Sequence, residues 1–295
     1  MIRYFTALIL ILVAHLSHAQ YGQPSSFREQ LQFAEHLQNT AQYEELILHY
    51  QHLTKQKGYS EAQQDSLFWG LGLAFFNQKI LDSSAFYLQK IQPENPLYAQ
   101  AHLLAGVDFA YQNQHTQATA TIREVEKHST DSLVLALAQV EKSGVALLQR
   151  DFKKYDSLQQ NSWAGQFYAT SEPHESLEKS KLALQKVKKR SPLVAGLMSA
   201  IIPGSGKIYA GKRGQGISSL LQCVALGLPT YESYRKAGVK SARFIIYGSL
   251  FTAVYIGNIW GSSLSVQIKQ QEMYDKIDNQ LLFDMRIPLR NVFNY

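Results

Sequence analysis

Gly204, Gly206 and Lys207 are residue types suited to a phosphate cradle: glycines for a tightly wrapped backbone and an ammonium to meet the anion. Their spacing does not serve that chemistry. A nucleoside-triphosphate loop places a glycine five residues before the one that precedes its lysine and a hydroxyl just after the lysine. This sequence has Ile201 and Ile208 at those places, and no strand precedes the stretch. A dinucleotide fingerprint fails too, because Tyr209 stands where the third glycine belongs. His49 and His52 share one helical face without a third ligand nearby, so a solvated pair is expected over a metal site. Cys223 is the single cysteine, which excludes an intramolecular disulfide and a cysteine metal cluster. Nucleophile-elbow, H-E-x-x-H and paired-carboxylate patterns are absent from the sequence. The expectation is no catalytic residue, no metal, no cofactor and no enzymatic activity, a hydrolase being the weakest reading kept.

The elements around that stretch follow from composition and charge. The chain has 295 residues, 45% hydrophobic and 18% charged, too apolar for a disordered protein. Its formal net charge of +6 is unevenly placed. Lys179, Lys181, Lys186, Lys188, Lys189 and Arg190 crowd ahead of an uncharged region, and Lys207, Lys212, Arg213, Arg235, Lys236, Lys240 and Arg243 fall between its apolar runs. Cations beside apolar runs point to anionic membrane lipids and away from nucleic acid, for which no base-stacking pattern is visible. Residues 1–19 read as a secretory signal peptide, with Arg3 in the basic start, residues 4–16 as the apolar core and Ser17-His18-Ala19 as the cleavage site.

Over residues 25–160 apolar positions recur with helical spacing, and strand signals are almost missing. An internal repeat is present: Gly72, Phe75 and Gln78 return 34 residues later as Gly106, Phe109 and Gln112, while Ala118 falls where Ser84 falls and Ile122 where Leu88 falls. Weaker copies place Ala34 before Tyr43 and Gly144 before Phe152 and Tyr155. On these residues the chain resembles the tetratricopeptide repeat family over residues 24–162, about four helix pairs. The resemblance implies close helix approach at Gly72, Gly106 and Gly144, with Ser84 and Ala118 at the small position of the second helix. Lys79 in place of the usual inter-helix glycine and Asp108 in place of an alanine depart from the family pattern. A concave surface that binds a protein or peptide partner is implied, with Tyr50, Trp69, Phe76, Tyr87 and Tyr111 as aromatics that could line it.

Residues 163–190 read as a connection ending at Pro173 and then a basic juxtamembrane helix. Residues 191–268 read as a membrane module. Ser191 caps a helix that starts at Pro192 and stops at Pro203, half the length needed to span, and the uncharged runs 214–231 and 244–268 supply two transmembrane helices. Ser249, Ala253, Gly257, Gly261 and Ser265 form a small-residue stripe predicted to pack the second run against the first. Pro203, Gly204, Gly206, Tyr209 and Gly211 spell P-G-x-G-x-x-Y-x-G, which is similar to the start of small bacterial membrane domains often appended to periplasmic repeats. That resemblance implies an inner-membrane module and no particular activity. Residues 269–295 are read as a C-terminal tail.

Together these readings predict an all-α protein, a tetratricopeptide-like helical-hairpin solenoid plus a small helical membrane domain. It is expected at the bacterial inner membrane with its N-terminal domain in the periplasm, as a protein-binding or assembly scaffold. The alternative is a small transporter or channel subunit built on the membrane module, since a half-helix broken by Pro-Gly can line a path. No Asp or Glu in the apolar runs supports a cation relay. Positive-inside counting favours a re-entrant 191–212 stretch with the 235–243 loop cytoplasmic.

Overall fold

The structure, a computed structural model, describes residues 26–295 apart from Asn161 and Trp163; the signal-peptide reading lies outside the described residues. The described residues are helical throughout, with no strand. The chain divides into two compact units, and the boundary falls between Ala138 and Gln139.

The first unit holds α1 (Phe27–Asn39), α2 (Tyr43–Lys55), α3 (Glu61–Asn77), α4 (Leu81–Leu88), α5 (Tyr98–Tyr111), α6 (His115–His128) and the start of α7 (Ser132–Leu148). Each of the first five helices packs on the next, so antiparallel pairs stack in sequence order. Ser26 with Glu29 and Ser60 with Gln63 close capping boxes that satisfy the free N–H groups where α1 and α3 begin. Leu37, Leu46, Leu53, Leu67 and Leu71 fill the core. A Cβ on Gly72 would stand 2.6 Å from Leu88, so α3 and α4 touch where a side chain is missing. Gly106, Ala118 and Ser84 are buried.

In the second unit α8 (Phe152–Gln159) folds back on α7. The Gln139 amide donates to the Leu158 carbonyl at 2.8 Å, and the Gln159 amide to Ser143 Oγ at 3.1 Å. Next come α9 (Tyr168–Lys186), α10 (Pro192–Ile201), α11 (Ser205–Tyr209), α12 (Arg213–Ala237) and α13 (Ala242–Phe293). Three expectations are corrected. The connection is shorter than expected and does not end at Pro173, because α9 already starts at Tyr168 and carries Pro173 inside it. Residues 269–293 are no separate tail: they continue α13, and Leu281, Leu282, Met285 and Leu289 are buried. Gly144 does not serve a repeat partner, since a Cβ there would meet Met285 of α13 at 2.5 Å. The boundary between the two compact units falls inside α7, within the span 24–162 read as repeats.

Four helix pairs turn through one backbone geometry. Ala41, Lys79, Asn113 and Arg150 lie in the left-handed region at φ 56, 60, 60 and 61. In each turn the following N–H reaches five residues back: Gln42 to Leu37, Ile80 to Phe75, Gln114 to Phe109 and Asp151 to Ala146, at 2.8–3.0 Å. These are the long-range bonds of a Schellman turn, which satisfy the last carbonyls of each first helix. A side chain in this conformation costs about 1–2 kcal/mol, part of which glycine recovers less its own entropy. Lys79→Gly should therefore stabilise the protein by about 0.5 kcal/mol in chemical denaturation. Arg150→Gly should instead destabilise it, because the Arg150 guanidinium grips Asp278 of α13 with two bonds of 2.7 Å.

Glu141 of α7 is fully buried, and neither carboxylate oxygen has a hydrogen-bond partner among the described residues. Burial pushes its carboxyl well above the usual glutamate range. The folded state then holds a proton that the unfolded state releases above about pH 4.3, so stability present in acid is lost as pH rises from there. Glu141→Gln should leave the melting temperature near pH 4 unchanged and raise it at pH 8. Equal slopes of melting temperature against pH in the two proteins would refute this.

Candidate functional site at the Pro-Gly break

Ser191 accepts the Val194 N–H at the start of α10, and Pro192 takes the first helical position. The helix ends after ten residues, and the chain reverses through Ile202, half-buried Pro203 and Gly204. Gly204 has φ +83, and a Cβ on it would stand 2.0 Å from the Gly216 carbonyl oxygen. On Gly206 a Cβ would stand 1.9 Å from the Ala195 carbonyl oxygen. The Gly206 N–H donates to Ser199 Oγ at 2.9 Å, and that hydroxyl shares a second hydrogen bond of 2.7 Å with Ser262 of α13. Tyr209 Oη accepts from the Ser191 N–H at 3.4 Å, while the Arg190 guanidinium lies 5.6 Å from the Tyr209 ring centre. Gly211 turns at φ +91, 3.1 Å from an Arg190 nitrogen at its absent Cβ.

These contacts fix the path of the chain. Ser263 Oγ donates to the Pro192 carbonyl at 2.9 Å, and Tyr255 Oη donates to the Ala200 carbonyl, so α10 runs antiparallel to α13. The Arg190 carbonyl accepts from Gln270 at 3.1 Å, and after the break Lys212 pairs with Glu272 at 3.5 Å. The stretch enters and leaves at the same end of α13. Lys207 reaches Ser219 at 2.7 Å, Gly227 faces Phe251, and the Tyr234 and Phe244 rings lie 5.9 Å apart; α12 and α13 thus form an antiparallel hairpin with its turn at residues 238–241.

The small-residue stripe is corrected. Ser249, Ala253 and Gly257 are exposed, and a Cβ on Gly257 would meet nothing within 4 Å. Only the lower end packs: Ser265 is buried and Gly261 lies against Lys207. The packed face carries Gly248, Phe251, Tyr255, Asn258 and Ser262. At 3.6 residues per turn, residues spaced by four advance about 40° each step, so a stripe from 249 to 265 swings by about 160° and cannot stay on one face.

Inside the module, Lys207, Ser219, Ser199 and Ser262 make a polar strip. Asn258 is 4% exposed, and neither side-chain amide atom has a hydrogen-bond partner among the described residues. Among the described residues no cluster of three His, Cys, Asp or Glu could hold a metal. His49 rests its Nε2 3.1 Å from the Gln30 carbonyl and its ring edge-on to Phe33. Of the aromatics expected on a concave surface, Tyr50 and Phe76 are core, Tyr87 stacks on Phe75 at 5.7 Å, Trp69 is half-buried and Tyr111 is 37% exposed. Comparison with protein-family models, curated proteins and solved structures found no match. The architecture alone defines the class: an all-α protein with a helical-hairpin array and an apolar helical module.

Packing at the break predicts that Gly206→Ala costs about 1–3 kcal/mol or more, because backbone on both sides must move. Gly257→Ala should be neutral. Thermal unfolding of the two variants in detergent checks both, and a loss at Gly257 as large as at Gly206 would restore the stripe as the packing face.

Proposed function

We propose that this protein is a membrane-anchored periplasmic scaffold, with tetratricopeptide-like helical repeats that hold a protein or peptide partner. One observation carries the anchoring: α13 is the one described helix long and apolar enough to cross a membrane, and only 6% of its most apolar window is buried. A core helix of a soluble protein would hide that face. Leu193, Ile201, Leu221, Leu228, Ile245 and Trp260 are all more than half exposed around it. In this reading α12, less apolar than α13 and packed against it, crosses beside it, the break re-enters without crossing, and Arg235, Lys236, Lys240 and Arg243 meet the cytoplasm. The signal peptide exports the N-terminal repeats, and the C-terminus returns to their side. The scaffold role rests on the stacked hairpins, an architecture that offers extended surface.

A transporter or channel role remains the second reading, favoured by the unpartnered Asn258 amide and the Lys207 ammonium inside the apolar module.

Single cysteines at Ser241 and Asn294, in a Cys223→Ala background, report the topology through an impermeant thiol reagent. Asn294 should label from the periplasm and Ser241 from the cytoplasm. A photo-crosslinking residue at Tyr111 of the full-length protein should give a discrete adduct in cells. Solute flux through liposomes, with no adduct at Tyr111, would reverse the order of the two readings.

A further inference from the structure

A cavity of about 320 Å³ opens where the apolar run of α13 ends at Ile268 and the charged part begins at Lys269. Ala210, Val266 and Met273 line it with carbon. Lys186, Lys188, Arg190 and Lys269 line it with four positive charges, and no acidic residue contributes to its wall. Such a concentration of one sign is unfavourable in a partly enclosed, partly apolar space unless an anion completes it.

The neighbouring charges do not provide that anion. Glu272 is the nearest acidic residue along α13, and it is taken by Lys212 at 3.5 Å and Lys269 at 3.2 Å. The Lys269 ammonium, with Lys212 behind it, holds the Glu272 carboxyl below the usual range, as expected of a carboxylate already matched. Lys186, Lys188 and Arg190 meet no carboxylate within ion-pair distance among the described residues. Arg190 is fixed all the same: its guanidinium lies 5.6 Å from the Tyr209 ring centre, and its carbonyl is held by Gln270. One of the four cations is thus held in place before any ligand arrives. The volume is at the small end of ligand sites. It suits a headgroup better than a whole lipid, whose chains would continue beside the exposed apolar residues of α10 and α13.

We propose that this cavity binds the phosphate of an anionic phospholipid headgroup, with Lys186, Lys188, Arg190 and Lys269 as its cationic wall and the acyl chains lying along the apolar module. The assignment rests on the reading of α13 as a membrane helix. A second, larger cleft between α9 and α13 shares Lys186, Lys269 and Met273 with the cavity, which widens the basic surface around the headgroup.

The test uses the full chain purified in neutral detergent, with phosphatidylglycerol, phosphatidylcholine of the same chains, or millimolar inorganic phosphate added. Native mass spectrometry reads retained lipid and a thermal melt reads stabilisation. Phosphatidylglycerol should be retained and should raise the melting temperature, and phosphatidylcholine should do neither. The double variant Lys186→Gln/Lys188→Gln should weaken retention by about five-fold per lysine removed. It should also keep the wild-type melting temperature in detergent alone. Lys236→Gln/Lys240→Gln, with the same charge change at the far end of the hairpin, should bind as the wild type does. Equal retention of the two lipids, equal loss in both double variants, or full stabilisation by inorganic phosphate alone would each overturn the assignment. Carbonate extraction of wild-type membranes addresses the membrane reading separately, since release of the protein there would remove the anchor whatever the cavity binds.

Discussion

No side-chain carbon fits between residue 206 and the carbonyl of Ala195, and this contact of backbone on backbone sets the course of the whole apolar module. A helix of ten residues reaches about 15 Å, half of a hydrocarbon core, so a chain broken at Pro203 must either stop in apolar surroundings or turn back. Turning back leaves backbone groups without helical partners, each costly where water is excluded. The Gly206 N–H is satisfied by Ser199 Oγ, and Ser262 holds that hydroxyl from α13. The missing Cβ atoms at 204, 206 and 216 are what let α10, α11 and α12 approach closely enough for these bonds to form. Glycine at these places is therefore a requirement of geometry, and the Lys207 that suggests a phosphate loop is drawn inward toward Ser219.

What the sequence revealed was mostly local. Ser191 and Pro192 announce the start of α10, because an N-cap and a first-turn proline act within four residues. Helix pairs are legible from the 34-residue return of Gly72 as Gly106. The turn between the helices of a pair is not, because its left-handed position is filled by alanine, lysine, asparagine and arginine, and only glycine would have marked it. The cost of those side chains is offset by the long-range turn bonds, and at Arg150 by the grip on Asp278.

What it hid was the face of each apolar helix. In 244–268 nearly every side is apolar, so hydrophobicity does not distinguish the side that meets α12 from the side left open. Small residues at every fourth place looked decisive, yet helical geometry rotates such a row out of any single contact. The polar residues on the 3.6 period, Asn258, Ser262 and Ser265, were the better guide, since a buried hydroxyl or amide in such a helix tends to face protein. Gly144 misled for a different reason: its partner Met285 is far along the chain, and no local spacing reports so distant a contact.

The continuation of α13 past Ile268 ties these halves together. Tyr274, Ile277, Leu281, Met285 and Leu289 recur at three- and four-residue steps, a one-sided pattern typical of a core-facing helix, in contrast with the all-round apolar run before it. Leu281 joins the cluster of Val140, Tyr155 and Leu177, and Met285 fills the space left by Gly144. A helix is stiff about its own axis, so packing its second half against α7 and α9 also fixes the rotation of its first half. The side that Asn258 and Ser262 turn toward the break is thus set partly by contacts two dozen residues away, outside the apolar region. This explains why the uncharged run alone could not reveal its packing face, and why the cationic cavity forms where the helix changes from one environment to the other.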